Sequence, residues 1–178
     1  MNLSMPRVYS RTGVQRLSTL REGSRNISPL FLGTYQVKPE QVPSAIKSAI
    51  QLGYRSFDCA PIYFNETQIG DAFAMVFSEG LVCRQDVFIG SKLASPFHRK
   101  GHATIELQKV LTDLRLDYLD QFIIHWPQAF DYIDIDPMQR GYDNEEIGDS
   151  GGGTRIDPTV SVHETWEGME DLVDEGLV

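Results

Sequence analysis

Four side chains in this 178-residue sequence are of types that move protons or steady charge: Asp58, Tyr63, Lys92 and His125, at successive gaps of 5, 29 and 33 residues. Brought to one place, a carboxylate, a phenol, an ammonium and an imidazole make an acid–base set. A phenol with a pKa of about 10 gives up a proton near neutrality only with help. An adjacent ammonium gives that help by favouring the anion left behind. A carboxylate would hold the ammonium charged and oriented, and an imidazole can donate a hydrogen bond to an oxygen on which charge develops. Taken singly, each has a plain structural reading. Asp58 would be a cap or turn residue, Lys92 a solvated strand-end charge, His125 a hydrogen-bonded core histidine, and Tyr63 a packing aromatic.

Whether the four meet depends on the elements that carry them. Arg21-Glu22-Gly23-Ser24 reads as a turn between two short arms, a candidate β-hairpin with its second arm near Asn26 to Ser28. Strand-like and helix-like segments then alternate. The apolar run Leu30 to Tyr35 fits a buried strand, and Pro39-Glu40-Gln41 opens a helix whose stripe is Val42, Ala45, Ile46, Ala49, Ile50, with Gly53 placed to end it. Tyr54–Asp58 and Glu66–Ser78, Val87–Lys92 and Thr104–Leu116 form the next two strand–helix pairs. Tyr118–His125 is the fourth strand candidate. After an irregular segment, a final helix runs from about Ser161 to Asp174, with Ser161 and Glu164 at capping-box spacing.

Serial alternation implies a parallel sheet with crossover helices. A doubly wound open sheet and a (β/α)8 barrel both remain open at this point. No Gly-x-Gly-x-x-Gly follows the first strand, which removes the main sign of a dinucleotide-binding open sheet. In a barrel, strand C-termini gather at one mouth, where Asp58, Lys92, His125 and the loop residue Tyr63 would converge. A full barrel takes about 250 residues, so four strand–helix units would be its N-terminal half.

Composition sets bounds on this reading. No apolar run approaches the length of a membrane span, and the N-terminal residues lack the pattern of a secretory signal. Cys59 and Cys83 show no metal spacing, so both are expected as reduced thiols in a cytoplasmic protein. A net charge of −9 argues against nucleic-acid or membrane partners. The charge is uneven: residues 126–160 carry eight acidic and two basic residues around Gly151-Gly152-Gly153, as an acidic Gly-rich loop would. The expected organisation is one domain over 1–178, with a hairpin-bearing segment at 1–29 and the loop at 126–160.

Several runs are recognisable. Gly53-Tyr54-Arg55-Ser56-Phe57-Asp58-Cys59-Ala60-Pro61-Ile62-Tyr63-Phe64-Asn65-Glu66, followed by Ile69-Gly70, resembles the first signature of the aldo-keto reductase family. Ile89-Gly90-Ser91-Lys92-Leu93 resembles its strand-3 motif, and Asp117 to Pro127 its strand-4 motif. Leu32-Gly33-Thr34-Tyr35 resembles the segment that passes beside the nicotinamide.

The resemblance covers about Leu30 to Val178 apart from the acidic insertion, and implies a (β/α)8 TIM barrel of which this chain supplies a hairpin and the first four β-α units. It implies an NADPH-dependent (NADP-linked) oxidoreductase that reduces aldehydes or ketones, with a small-molecule carbonyl as substrate. Tyr63 would be the general acid, Lys92 its activator, Asp58 the partner of Lys92, and His125 the donor to the carbonyl oxygen. Gly33, Thr34, Tyr35 and Asp58 would lie against the cofactor; Tyr35, Tyr63, His125 and Trp126 would wall the substrate pocket. Many relatives have Trp where this chain has Tyr35.

The same resemblance implies a strand 5 leading to a Ser-Asn pair for the carboxamide, and adenosine-phosphate contacts after that. None of these segments lies within the 178 residues, so the chain alone is not expected to be a competent reductase. A non-catalytic relative serving as a binding or regulatory subunit is the alternative, and a different (β/α)8 enzyme such as an isomerase is a third. Two metal-like patterns are set aside. His98 and His102 are four apart but sit among Arg99 and Lys100 without an acidic third ligand. Asp143-Asn144-Glu145-Glu146 lacks the ligand alternation of a calcium loop.

Overall fold

The computed structural model describes residues 9–10, 13–14, 20–22, 25–132 and 155–178. Two short antiparallel ribbons come first: β1 (Tyr9–Ser10) with β2 (Gly13–Val14), and β3 (Leu20–Glu22) with β4 (Arg25–Ile27). Arg21 and Glu22 are thus strand residues, paired with Asn26 and Arg25, rather than turn residues. The parallel sheet follows: β5 (Leu32–Gly33), β6 (Ser56–Asp58), β7 (Phe88–Leu93) and β8 (Gln121–Ile124), hydrogen-bonded in the order 5-6-7-8. That order has no reversal point. A doubly wound sheet changes direction where its strand order reverses, so the winding is that of a barrel.

Three of the strands are shorter than the runs that announced them, whereas β7 keeps its length and is shifted by one residue, Phe88–Leu93 for Val87–Lys92. Leu30 and Phe31 stand outside β5, and Tyr118 to Asp120 outside β8. Parallel pairing ends where a neighbour ends, and β6 has only three residues with which to template β5.

Helices α1 (Val42–Gln51), α2 (Glu66–Ser78), α3 (Lys100–Leu114) and α4 (Val162–Asp174) follow the four parallel strands in turn. α1 buries Val42, Ile46, Ala49 and Ile50 of the expected stripe, with Ala45 only half-buried at its edge. It ends at Gly53, whose φ of 95° lets Tyr54 N–H reach back to the Ala49 carbonyl at 2.9 Å. α4 begins at Ser161, whose Oγ accepts the Glu164 N–H at 3.1 Å.

α3 departs from its sequence outline. It starts at Lys100 rather than Thr104, because Arg99 is extended and the chain turns helical directly after it. It stops at Leu114, where Arg115 adopts a left-handed conformation. Glu106 and Lys109 are buried on its inner face although charged. Glu106 accepts the Ala94 N–H at 2.7 Å, and Lys109 pairs with Asp113 at 2.5 Å. Paired in this way, both avoid the penalty of an isolated buried charge.

The core lies between helices and sheet. Phe57 and Phe73 meet edge to face at 5.1 Å, with Ile46, Ile69, Ile89, Leu107 and Leu172 fully buried around them. Burying each such side chain contributes about 1.5–3 kcal/mol. α2 and α3 pack without a gap at Gly70, where an added Cβ would lie 2.2 Å from the Asp113 carbonyl oxygen.

The segment after β8 is anchored at both ends. Phe130 pairs with Ile156, Asp131 N–H donates to the Arg155 carbonyl at 2.8 Å, and Arg99 contacts Asp157 at 2.8 Å. The acidic run Asp143 to Glu146 and the glycines 151–153 lie outside the described residues.

Candidate active site

Register decides which side chains share a face. Parallel neighbours point the same way, and residues two apart on a strand do too. Asp58 pairs with Gly33 on one side and Gly90 on the other; Lys92 pairs with Ile123. Lys92 is two residues past Gly90, and His125 two past Ile123. Gly33, Asp58, Lys92 and His125 therefore belong to one face, at the C-terminal ends of four adjacent strands. The opposite face carries Phe57, Ile89, Ser91 and Phe122, turned toward the helices. His125 stays in register beyond β8, its N–H donating to the Leu93 carbonyl at 3.1 Å.

Tyr63 arrives by another route. Pro61-Ile62-Tyr63 forms a single 3-10 turn after β6, closed by Tyr63 N–H to the Ala60 carbonyl at 3.0 Å. Proline suits the first position of such a turn. Phe64 then takes a left-handed conformation with φ of 56°, and α2 starts two residues on. This compact connection turns the phenol back over the strand ends.

At the centre is Lys92, only 7% exposed. Its ammonium lies 2.7 Å from Asp58 Oδ1, 2.8 Å from the Cys59 carbonyl oxygen and 3.0 Å from Tyr63 Oη. An ammonium has three donors, and all three are engaged. Because Lys92 donates to Oη, the phenol's own proton is directed elsewhere, and Asp58 compensates the buried charge. The His125 ring is edge-on to Tyr63, with centroids 5.9 Å apart. Tyr35 lies on the other side of Tyr63 at 5.0 Å, and Trp126 stacks beside His125 at 5.9 Å. Tyr35 and Trp126 are both exposed, as open pocket walls are.

The residues singled out for a cofactor divide in two. Gly33 is exposed, and an added Cβ there would meet nothing within 4 Å, so its face is open space beside Asp58. Thr34 is buried instead, its Oγ1 donating to the Asp58 carbonyl at 2.9 Å. A flat ring has room over Gly33, next to Tyr35 and the exposed part of Asp58; the Thr34 hydroxyl is already engaged.

Three further contributors lie outside the set named from the sequence. The Cys59 carbonyl completes the shell of Lys92, a backbone role that side-chain types do not signal. Glu66 is buried and accepts the Ser91 hydroxyl at 2.6 Å, one residue from Lys92 but on the helix side of the sheet. Burial pushes the Glu66 carboxyl up to about 8, with the Ser91 hydrogen bond opposing. Asn65 is buried and spans to the turn that bears Tyr35. Both sit in the recognised motif, two and three residues after Tyr63, where an acid and an amide at a helix start are ordinary end residues.

The two histidines four apart do not share a helix face. His98 precedes α3 and is buried, and burial lowers its pKa to about 4. His102 lies in the first turn of α3 against the ring of Tyr132, centroids 3.7 Å apart.

Comparison with known proteins gives consistent matches. The aldo/keto reductase family model matches residues 29–178. Aldose reductase B of Dictyostelium discoideum is 41% identical over 165 residues, covering 92% of this chain and 51% of that protein. An NADPH-dependent aldose reductase of Saccharomyces cerevisiae is 38% identical over 168 residues, covering 91% and 49% respectively. The solved structure of the aldose reductase from Schistosoma japonicum aligns with a TM-score of 0.75 at 37% identity, over 92% of this chain and 50% of that one. The chain spans about half the length of the curated relatives it matches.

Proposed function

This chain belongs to the aldo/keto reductase family, and from that premise we propose that the protein is an NADPH-dependent reductase of aldehydes or ketones with Tyr63 as proton donor. The family fold is the (β/α)8 barrel, and β5 to β8 with α1 to α4 are its first four units.

The observation that carries the chemistry is the saturated ammonium of Lys92. It donates to Tyr63 Oη at 3.0 Å, which leaves the phenol's own proton available to a substrate oxygen. A carbonyl oxygen entering between Tyr63 and His125 would accept that proton, with the imidazole donating a second hydrogen bond. As the proton leaves, negative charge grows on Oη beside the ammonium, where it is stabilised. Asp58, at 2.7 Å, keeps the ammonium in place. Tyr35 and Trp126, in ring contact with Tyr63 and His125, would border the approach.

A reduced nicotinamide bound beside the open face of Gly33 would supply the hydride. Gly33, the Thr34 backbone, Tyr35 and Asp58 would hold it there. NADPH is favoured by the yeast relative, whose name specifies that cofactor. A small carbonyl compound is the substrate class, with the protein acting in the cytoplasm; among the described residues no helix is long and apolar enough to cross a membrane.

The direct test is NADPH oxidation by the protein from its complete reading frame, followed at 340 nm across a panel of aldehydes and ketones. Turnover that depends on both NADPH and carbonyl is expected. Cofactor binding without turnover on any of them would overturn the reading.

A further inference from the structure

Resting on that reading, we infer that Asn65 is a positioning residue, which sets the substrate wall by clamping the Tyr35 turn against Tyr63.

Asn65 stands at the N-cap of α2, where an asparagine side chain ordinarily accepts a backbone N–H of its own helix. Here it makes no such bond. Its Nδ2 reaches across the sheet edge instead and donates to the Thr34 and Val37 carbonyls, each at 2.9 Å. Both amide hydrogens are used, while Oδ1 is buried with no hydrogen-bond partner among the described residues. The reverse amide orientation would set Oδ1 against two carbonyl oxygens, so the bonding pattern fixes which way the side chain faces.

What the amide holds is a strained four-residue turn. Thr34 to Val37 is closed by Val37 N–H to the Thr34 carbonyl at 3.2 Å. Its third residue, Gln36, has φ of 59°, a conformation for which glycine or asparagine is the usual choice. Phe64, directly before Asn65, is left-handed as well. Two strained backbones thus flank one buried clamp. They carry the two rings, Tyr35 and Tyr63, whose centroids are 5.0 Å apart. Thr34 is also tied to the Asp58 carbonyl through its N–H at 3.1 Å and its hydroxyl at 2.9 Å. The Thr34 end of the turn is thus held by β6 as well as by Asn65, and at the other end Asn65 holds the Val37 carbonyl.

Asn65→Ala and Asn65→Asp in the full-length protein separate positioning from bulk. Aspartate keeps the size and shape but cannot donate, and its carboxylate would face two carbonyl oxygens. Two hydrogen bonds are lost in either variant, so hydrogen exchange at the Val37 amide should speed up roughly tenfold. Amides of β6 and β7 should be unchanged. With NADPH and 4-nitrobenzaldehyde, KM for the aldehyde should rise roughly tenfold while kcat falls less, because the Tyr63–Lys92 pair is untouched. Where Asn65→Asp does not fold, Asn65→Ser replaces it, being too short to span both carbonyls.

Wild-type exchange and KM in Asn65→Asp would overturn the proposal, as would a uniform loss of protection that includes β6 and β7. If the wild-type protein turns over no carbonyl, the functional reading fails on its own. The exchange at Val37 still decides whether Asn65 is the clamp.

Discussion

Lys92 Nζ lies 3.0 Å from Tyr63 Oη although the two residues are 29 apart in sequence and neither is on the other's element. The strand end supplies the ammonium and the 3-10 turn supplies the phenol. Their contact exists only because β6 and β7 are neighbours.

That contact makes the two residues one unit in catalysis. Tyr63→Phe should lower kcat by about 10²- to 10⁴-fold with NADPH affinity largely kept. Lys92→Met should fall by a comparable factor, and the double variant should be little worse than either single one. Steady-state kinetics on the full-length variants checks this. Multiplying losses would show that Lys92 does not act through Tyr63.

Gly33 separates cofactor space from folding space. An added Cβ there meets no atom within 4 Å, so Gly33→Ala should leave the thermal midpoint unchanged. If the nicotinamide lies against that face, the same methyl weakens NADPH binding in a fluorescence titration. Unchanged affinity would move the cofactor away from Gly33.

Glu66 gives stability a pH dependence whose sign follows from burial. Its carboxyl is raised from 4.5 to about 8, so between these values the folded state holds a proton that the unfolded state has lost. The contribution is fully present below about pH 4.5 and is lost as pH rises toward 8. Glu66→Gln keeps the oxygen that accepts from Ser91 and removes the titration. Its stability relative to wild type should improve steadily from pH 5 to pH 8 in urea denaturation. A flat difference across that window would show that Glu66 is ionised in the fold.

Gly70→Ala tests the helix layer behind the site. A Cβ at 2.2 Å from the Asp113 carbonyl cannot be met by rotating a side chain, because the obstacle is backbone. α2 and α3 must separate, which should destabilise the protein by about 1–3 kcal/mol. Chemical denaturation measures the loss, and an unchanged midpoint would mean the helices cross less closely at this point.

The helices were largely legible from the residues alone. α2 has the bounds that its sequence pattern indicated, and the α1 stripe is the buried face. Helical burial repeats every few residues along one segment, so a local pattern is enough to show it. The chemistry-bearing residue types and their spacing are equally a matter of sequence. Asp58, Tyr63, Lys92 and His125 could be named from the chain, since reactive groups at strand ends stand out against apolar runs.

Tertiary structure decided everything that joins distant segments. An open sheet and a barrel share the same alternation of strands and helices; the family motifs implied the barrel, and the pairing order 5-6-7-8 agrees with it. Strand ends were decided by the length of the neighbouring strand, so the apolar run from Leu30 yielded just the two residues of β5. The buried carboxylates Glu66 and Glu106 bond to groups outside their own helices; Ser91 and the Ala94 N–H are brought alongside by the fold. Asn65 reads as a helix cap until the Thr34 and Val37 carbonyls come within 2.9 Å. In each case the deciding energy is a hydrogen bond or ion pair made with desolvation, and its partner is set by the fold rather than by the residue itself.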